Sequence, residues 1–267
     1  MAVKVPAGPV RADPAGPVSV GAPVRQFSRA GVAAVWAAAA VPMGLLAWVA
    51  APALAGAGAS PRRFAISLIF ALTAGLIWQF VLVMLIVSRE QHSLRWAALR
   101  RALWLEPPTG TGGRQGGRLW LWLIPCVLGF AALSMVPAGP LAGPVNRDFG
   151  SFLGSAAGKA AFHGDWGLFA LVVVMLVFNT VLGEELLFRG LLLPRMRGVF
   201  GRADWIANAL LFGLYHLHQP WSIPVSIALG MLTALPARRF HSAWMGIAIH
   251  SAQSVFFAVL LLTIVLH

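Results

Sequence analysis

The sequence predicts an all-α, polytopic bundle of about seven to eight membrane-spanning helices, on three observations. Hydrophobic residues make up 59% of the 267 residues and charged residues only 10%, against about a quarter charged in soluble domains. Mean hydropathy is +0.79. The apolar residues also gather into runs comparable to the roughly 20 residues that one spanning helix needs.

Residues 1–28 are rich in Pro, Gly, Ala and Val with no helical period and read as a flexible cytoplasmic arm. The apolar runs then fall at 30–56, 64–88, 119–136, 166–196, 203–217, 221–235 and 243–266. The first exceeds a signal-peptide core and is expected as an uncleaved helix, although Ala53, Leu54 and Ala55 resemble a cleavage site. The fourth is too long for one perpendicular span and the next two are short, so tilt, a break or half-membrane helices are expected there. Three regions follow: the arm 1–28, N-terminal helices with a basic loop over 29–118, and a core over 119–267.

Charge orients the runs. With the N-terminus inside, about sixteen of the twenty basic residues fall on the inner side and only Arg62, Arg63, Arg147 and Lys159 outside. The net charge of +12 is thus mostly an orientation signal, as expected of a bacterial inner membrane protein. It is not a nucleic-acid footprint, because no stacking platform or binding motif accompanies the clusters. Between the second and third runs, Trp96, Leu99 and Leu103 share a helical face away from Arg95, Arg100 and Arg101, which fits either an interfacial helix on anionic lipid or an ordinary basic loop. Gly110 to Gly117 read as a flexible linker. Cys126 is the only cysteine, so an intrachain disulfide or cysteine zinc cluster is excluded.

The chemistry is concentrated in the second half. Glu184 and Glu185 sit inside an apolar run, and the later runs carry His216 and His250; at such depth each ionisable group costs about 3 kcal/mol or more unless it has a function or a partner. Glu185 and Arg189 are four apart and can pair along a helix. Glu184, about 100° around the helix, has no local cation and is left free to exchange a proton. A purely structural ion pair joining helices through Arg189 is the alternative. Phe212 and His216 share one face of the next helix, and His250 and Ser254 one face of the last. Either histidine alone can simply bond a neighbouring helix.

Glu-Glu-x-x-x-Arg, then Phe-x-x-x-His, then a later His after an Arg-Arg pair resembles the CAAX-processing and bacteriocin-processing (Abi) family of intramembrane proteases, over about residues 166–266. The resemblance implies a catalytic pocket inside the membrane, with Glu184, Glu185 and Arg189 in the first motif, Phe212 and His216 in the second and His250 in the third. It implies hydrolysis of a membrane-associated or prenylated-type peptide by water activated at Glu184 and assisted by His216, with His250 stabilising the oxyanion. The family's usual Asn four residues after the last His is replaced by Ser254, so Asn208, Asn179 or Gln253 is expected to supply the missing amide. No cofactor is favoured; a zinc ion on Glu184, His216 and His250 is the metal alternative. A catalytically inactive membrane scaffold or bacteriocin-immunity protein is the alternative function. A transporter would also use intramembrane Glu and His, but it predicts paired repeats that the sequence lacks.

Overall fold

The computed structural model describes residues 24–135 and 143–267. Among them there is no β-sheet, only an isolated bridge between Thr109 and Gln115. Six helices are long and apolar enough to cross a membrane: α1 (Arg29–Ala55), α2 (Pro61–Gln91), α4 (Gly117–Ser134), α7 (Trp166–Arg195), α9 (Pro220–Phe240) and α10 (Ala243–Leu266). Shorter helices are α3 (Trp96–Ala102), α5 (Phe149–Gly154), α6 (Ala156–Phe162) and α8 (Asp204–Tyr215). The chain is therefore a polytopic helical bundle.

Local chemistry sets the helix ends and breaks. Ser28, Ser60 and Asp165 accept from the first-turn amides of Gly31, Arg63 and Leu168, satisfying donors that an apolar setting cannot hydrate. Pro42 lies inside α1 and has no N–H for the Ala38 carbonyl one turn earlier. Trp78 of α2 donates to that carbonyl at 2.8 Å, so the proline becomes a helix-to-helix contact. Four residues on, α1 widens into a π-helical turn over Leu46–Ala50.

The fifth apolar run is not a full span. The stretch expected at 203–217 forms α8, whose 12 residues reach only about 18 Å at 1.5 Å per residue. It turns back through His216 to Gln219 and packs along α9. Gly213 permits this approach, since a Cβ there would fall 2.9 Å from the Ile227 backbone nitrogen. Asp204 closes the other end of the pair by accepting from Arg238 Nε at 2.6 and 2.8 Å.

At the centre lies α7, whose residues are buried without interruption from Gly183 to Met196. Leu187, Phe188, Leu191 and Leu192 form the main core with Val83 and Val87 of α2, Leu103 and Tyr215. Val49, Phe70, Leu128, Phe256 and Val259 remain exposed on the outside, as lipid-facing side chains do. Arg195 ends α7 buried, bound to Glu90 at 2.7 Å and to the carbonyls of Ala102 and Leu191.

Two connecting segments are more ordered than their composition suggests. Leu99 packs against the core and Leu103 is buried, while Trp96 stays exposed. The glycine-rich stretch is a closed turn rather than a loose linker: Gly110 N–H bonds to Arg114, and Thr109 N–H bonds to Phe240 at the end of α9. Of the N-terminal arm, residues 1–23 lie outside the described residues. Its last part is pinned to the end of α7, through Phe27 N–H to the Arg195 carbonyl and the Gln26 amide to the Pro194 carbonyl.

Candidate active site

The two carboxylates enter the bundle from a distorted stretch of α7. Helical turns of the wider π type cover Phe178–Gly183 and Leu186–Leu192, with Glu184 and Glu185 between them. Such turns shift side chains around the helix relative to a regular α-helix and often mark functional positions. Gly183 is required by close packing: a Cβ there would lie 3.2 Å from the Leu76 carbonyl oxygen and 3.4 Å from Gln79 Oε1.

Glu185 is fully buried and doubly engaged. Its Oε1 receives Arg189 Nη1 at 3.0 Å and faces His250 Nδ1 at 3.0 Å. Its Oε2 is without a partner and rests against Gly246 of α10, where a Cβ would collide with it. Arg189 also donates to the Gly230 carbonyl at 3.0 Å and to Thr233 Oγ1, and its guanidinium carbon sits 4.3 Å over the Phe212 ring. One ion pair thus joins α7, α8, α9 and α10.

Glu184 is 2% exposed and lines a cavity of about 910 Å³ together with Phe212, Tyr215, His216 and His250. The Gln79 amide donates to the Tyr215 hydroxyl at 2.6 Å. Tyr215 and Glu184 line the same cavity. His216 caps the end of α8 with Nδ1 2.9 Å from the Phe212 carbonyl. A carbonyl only accepts, so Nδ1 carries the proton and Nε2 presents a lone pair.

Most sequence-predicted residues therefore converge. Glu184, Phe212, His216, His250 and Ser254 line the same cavity, as do Asn179 and Gln253, while Glu185 and Arg189 stand behind His250 and Phe212. Ser254 makes no side-chain hydrogen bond among the described residues, whereas Thr73, Ser134 and Thr180 bond back to the carbonyl one turn earlier. Asn208 is not brought to the cavity. It lies one turn before Phe212 on α8, where its amide donates to the Phe188 carbonyl at 2.8 Å.

The proposed zinc ligands line one cavity, but among the described residues no three His, Cys, Asp or Glu side chains are grouped to hold an ion. His250 Nδ1 faces Glu185 and His216 Nδ1 the Phe212 carbonyl, which leaves the two Nε2 atoms as the available ligands.

Three groups at the site, two of them lining the cavity, had no motif to announce them. His218 stacks on His216 with ring centroids 5.3 Å apart, Tyr215 is the only tyrosine, and Gln79 is a buried amide in the second apolar run. A lone glutamine among twenty-odd apolar residues was the one available signal, because an amide there needs a partner.

No curated protein and no solved structure matches the chain. Residues 165–256, about a third of the chain, match the family described as type II CAAX prenyl endopeptidase Rce1-like. That region contains Glu184, Glu185, Arg189, Phe212, His216, His250 and Ser254. The C-terminal part of this membrane protein is therefore related to the CAAX and Abi proteases.

Proposed function

We propose that the protein is an intramembrane endopeptidase that hydrolyses a peptide bond of a membrane-associated substrate with water activated at Glu184. The convergence of Glu184, His216 and His250 on one cavity within the helical bundle carries this reading. Glu184 is the group that takes the water proton. His216 Nε2, left unprotonated by the Phe212 contact, can accept from the same water. As the peptide carbonyl becomes an oxyanion, His250 is the donor on the opposite side; Nε2 can donate once the ring carries a second proton, and the Glu185 carboxylate at Nδ1 balances that charge. Asn179, Gln253 and Ser254 are the nearby groups for a second donor.

No covalent intermediate is required. Ser254 has no base bonded to it, so it makes a weak nucleophile. The same absence of an amide at position 254 favours the second reading, an inactive relative that binds peptides without cutting them.

The test is a comparison of membrane peptides by mass spectrometry in cells carrying wild-type protein or Glu184→Gln. Peptides cut only by the wild type support hydrolysis. Identical peptide profiles, with the purified protein also inert in proteoliposomes, would leave the binding protein as the function.

A further inference from the structure

The cavity continues well beyond Glu184. Arg147 and Asp148 of the connection before α5 also wall it, with Gln219 of the turn between α8 and α9 and Trp221 of the first turn of α9. Among the described residues, none from the basic connections 92–116 and 197–203 lines it.

Arg147 is held in an unusual way. Its guanidinium carbon lies 4.1 Å over Trp48 and 5.1 Å over Phe64, and Nη1 donates to the Ala47 carbonyl at 3.2 Å. Those contacts fix the group but use few of its five N–H donors. Asp148 beside it is engaged elsewhere, accepting from Ser151 N–H at 2.7 Å and from Trp221 Nε1 at 3.3 Å. Among the described residues no carboxylate forms an ion pair with Arg147. Burial alone acts on it, and lowers its pKa. A partly desolvated cation, fixed on two rings and facing a cavity, is arranged to receive an oxyanion.

Arg147 and Glu184 line the same cavity, with Phe64 of α2 under the cation and Leu76 of the same helix beside Gly183. The wall between is apolar, with Leu68, Leu72, Leu76 and Met175.

We infer that Arg147 is an anion-binding subsite, holding a carboxylate of the substrate peptide in the same cavity as the bond that Glu184 attacks. The inference rests on the protease reading above. A phospholipid phosphate would satisfy the same cation, but its acyl chain would then lie against Glu184, Asn179 and His216 and leave these buried polar groups unmatched. A peptide supplies an anion at one end and a polar backbone at the other.

Binding is measured on Glu184→Gln protein in neutral phosphatidylcholine vesicles, with fluorescent apolar peptides ending in a free carboxylate or in an amide. The carboxylate form should bind about tenfold tighter. This gap should close when Arg147→Gln is added and persist in part with Arg147→Lys. Equal binding of the two forms by protein retaining Arg147 would overturn the subsite. So would loss of the gap in anionic phosphatidylglycerol vesicles, which would assign the cation to lipid phosphate. In the active protein, cuts should fall at a fixed distance from the carboxylate. A tenfold binding gap without any cutting would uphold the subsite and remove the protease reading instead.

Discussion

His250 is bonded to Glu185, with Nδ1 3.0 Å from Oε1, while Glu184 one residue earlier lines the cavity with Tyr215. Adjacent acids thus have different surroundings, and their substitutions should have different phenotypes. Glu184→Gln should abolish hydrolysis and leave the protein folded, because the amide keeps the shape but cannot take a proton from water. Glu185→Gln should lower stability by about 3 kcal/mol or more as well as rate, since Arg189 loses its charge partner at full burial. Thermal unfolding in detergent beside peptide turnover separates the two. Normal turnover in Glu184→Gln, with Glu185→Gln inert but as stable as wild type, would reverse the roles.

Ser254 lies on the cavity wall with its hydroxyl unengaged, so it can offer only a weak donor to an oxyanion. Ser254→Ala should reduce turnover less than about tenfold, below the 100-fold or greater loss usual for a strong oxyanion donor. Ser254→Asn should preserve or raise turnover. A folded but fully inactive Ser254→Asn protein would mean that the serine has a chemical role of its own.

Gln79 of α2 donates to the Tyr215 hydroxyl of α8. Tyr215→Phe leaves the buried Gln79 amide without an acceptor and should cost about 1–3 kcal/mol. Adding Gln79→Leu removes the stranded group and should recover part of the loss, because deleting both partners is cheaper than deleting one. A double variant destabilised by the full sum of the single effects would show that the pair is not coupled.

Asp165 joins the start of α7 to Arg62 of α2, at 2.5 Å, and caps Leu168. The Leu168 amide first, and then Arg62, hold its carboxyl below the ordinary 3.8. A depressed folded-state pKa stabilises the fold above the unfolded value, and that contribution is lost as pH falls through the folded one. Asp165→Asn should therefore lower Tm at pH 7, and its deficit should narrow toward pH 3. A deficit of constant size across that range would rule out the charge as its source.

Much of the frame was legible because a bilayer imposes simple constraints. Apolar length located α1, α2, α4, α7 and α10, and the spacing of Glu185 and Arg189 foretold their ion pair. The half-length of α8 was foreshadowed by its short apolar run, but its return along α9 depends on the Gly213 contact with Ile227, which no pattern within either helix encodes. Asn208 was a reasonable amide donor by composition and sits elsewhere because the Phe188 carbonyl takes its amide. The link from His250 to Glu185 crosses from α10 to α7, and helical periodicity reports only neighbours on the same helix.

The wide turns flanking Glu184 give α7 a property that a regular helix lacks. A π turn carries one residue more than the α turn it replaces, so the segment holds slack in its register. Removing a single residue there would let the helix tighten to α geometry without breaking its ends, while turning one carboxylate by roughly 100° relative to the other side of the deletion. The geometry of the two carboxylates therefore depends on the length of this segment as well as on its side chains.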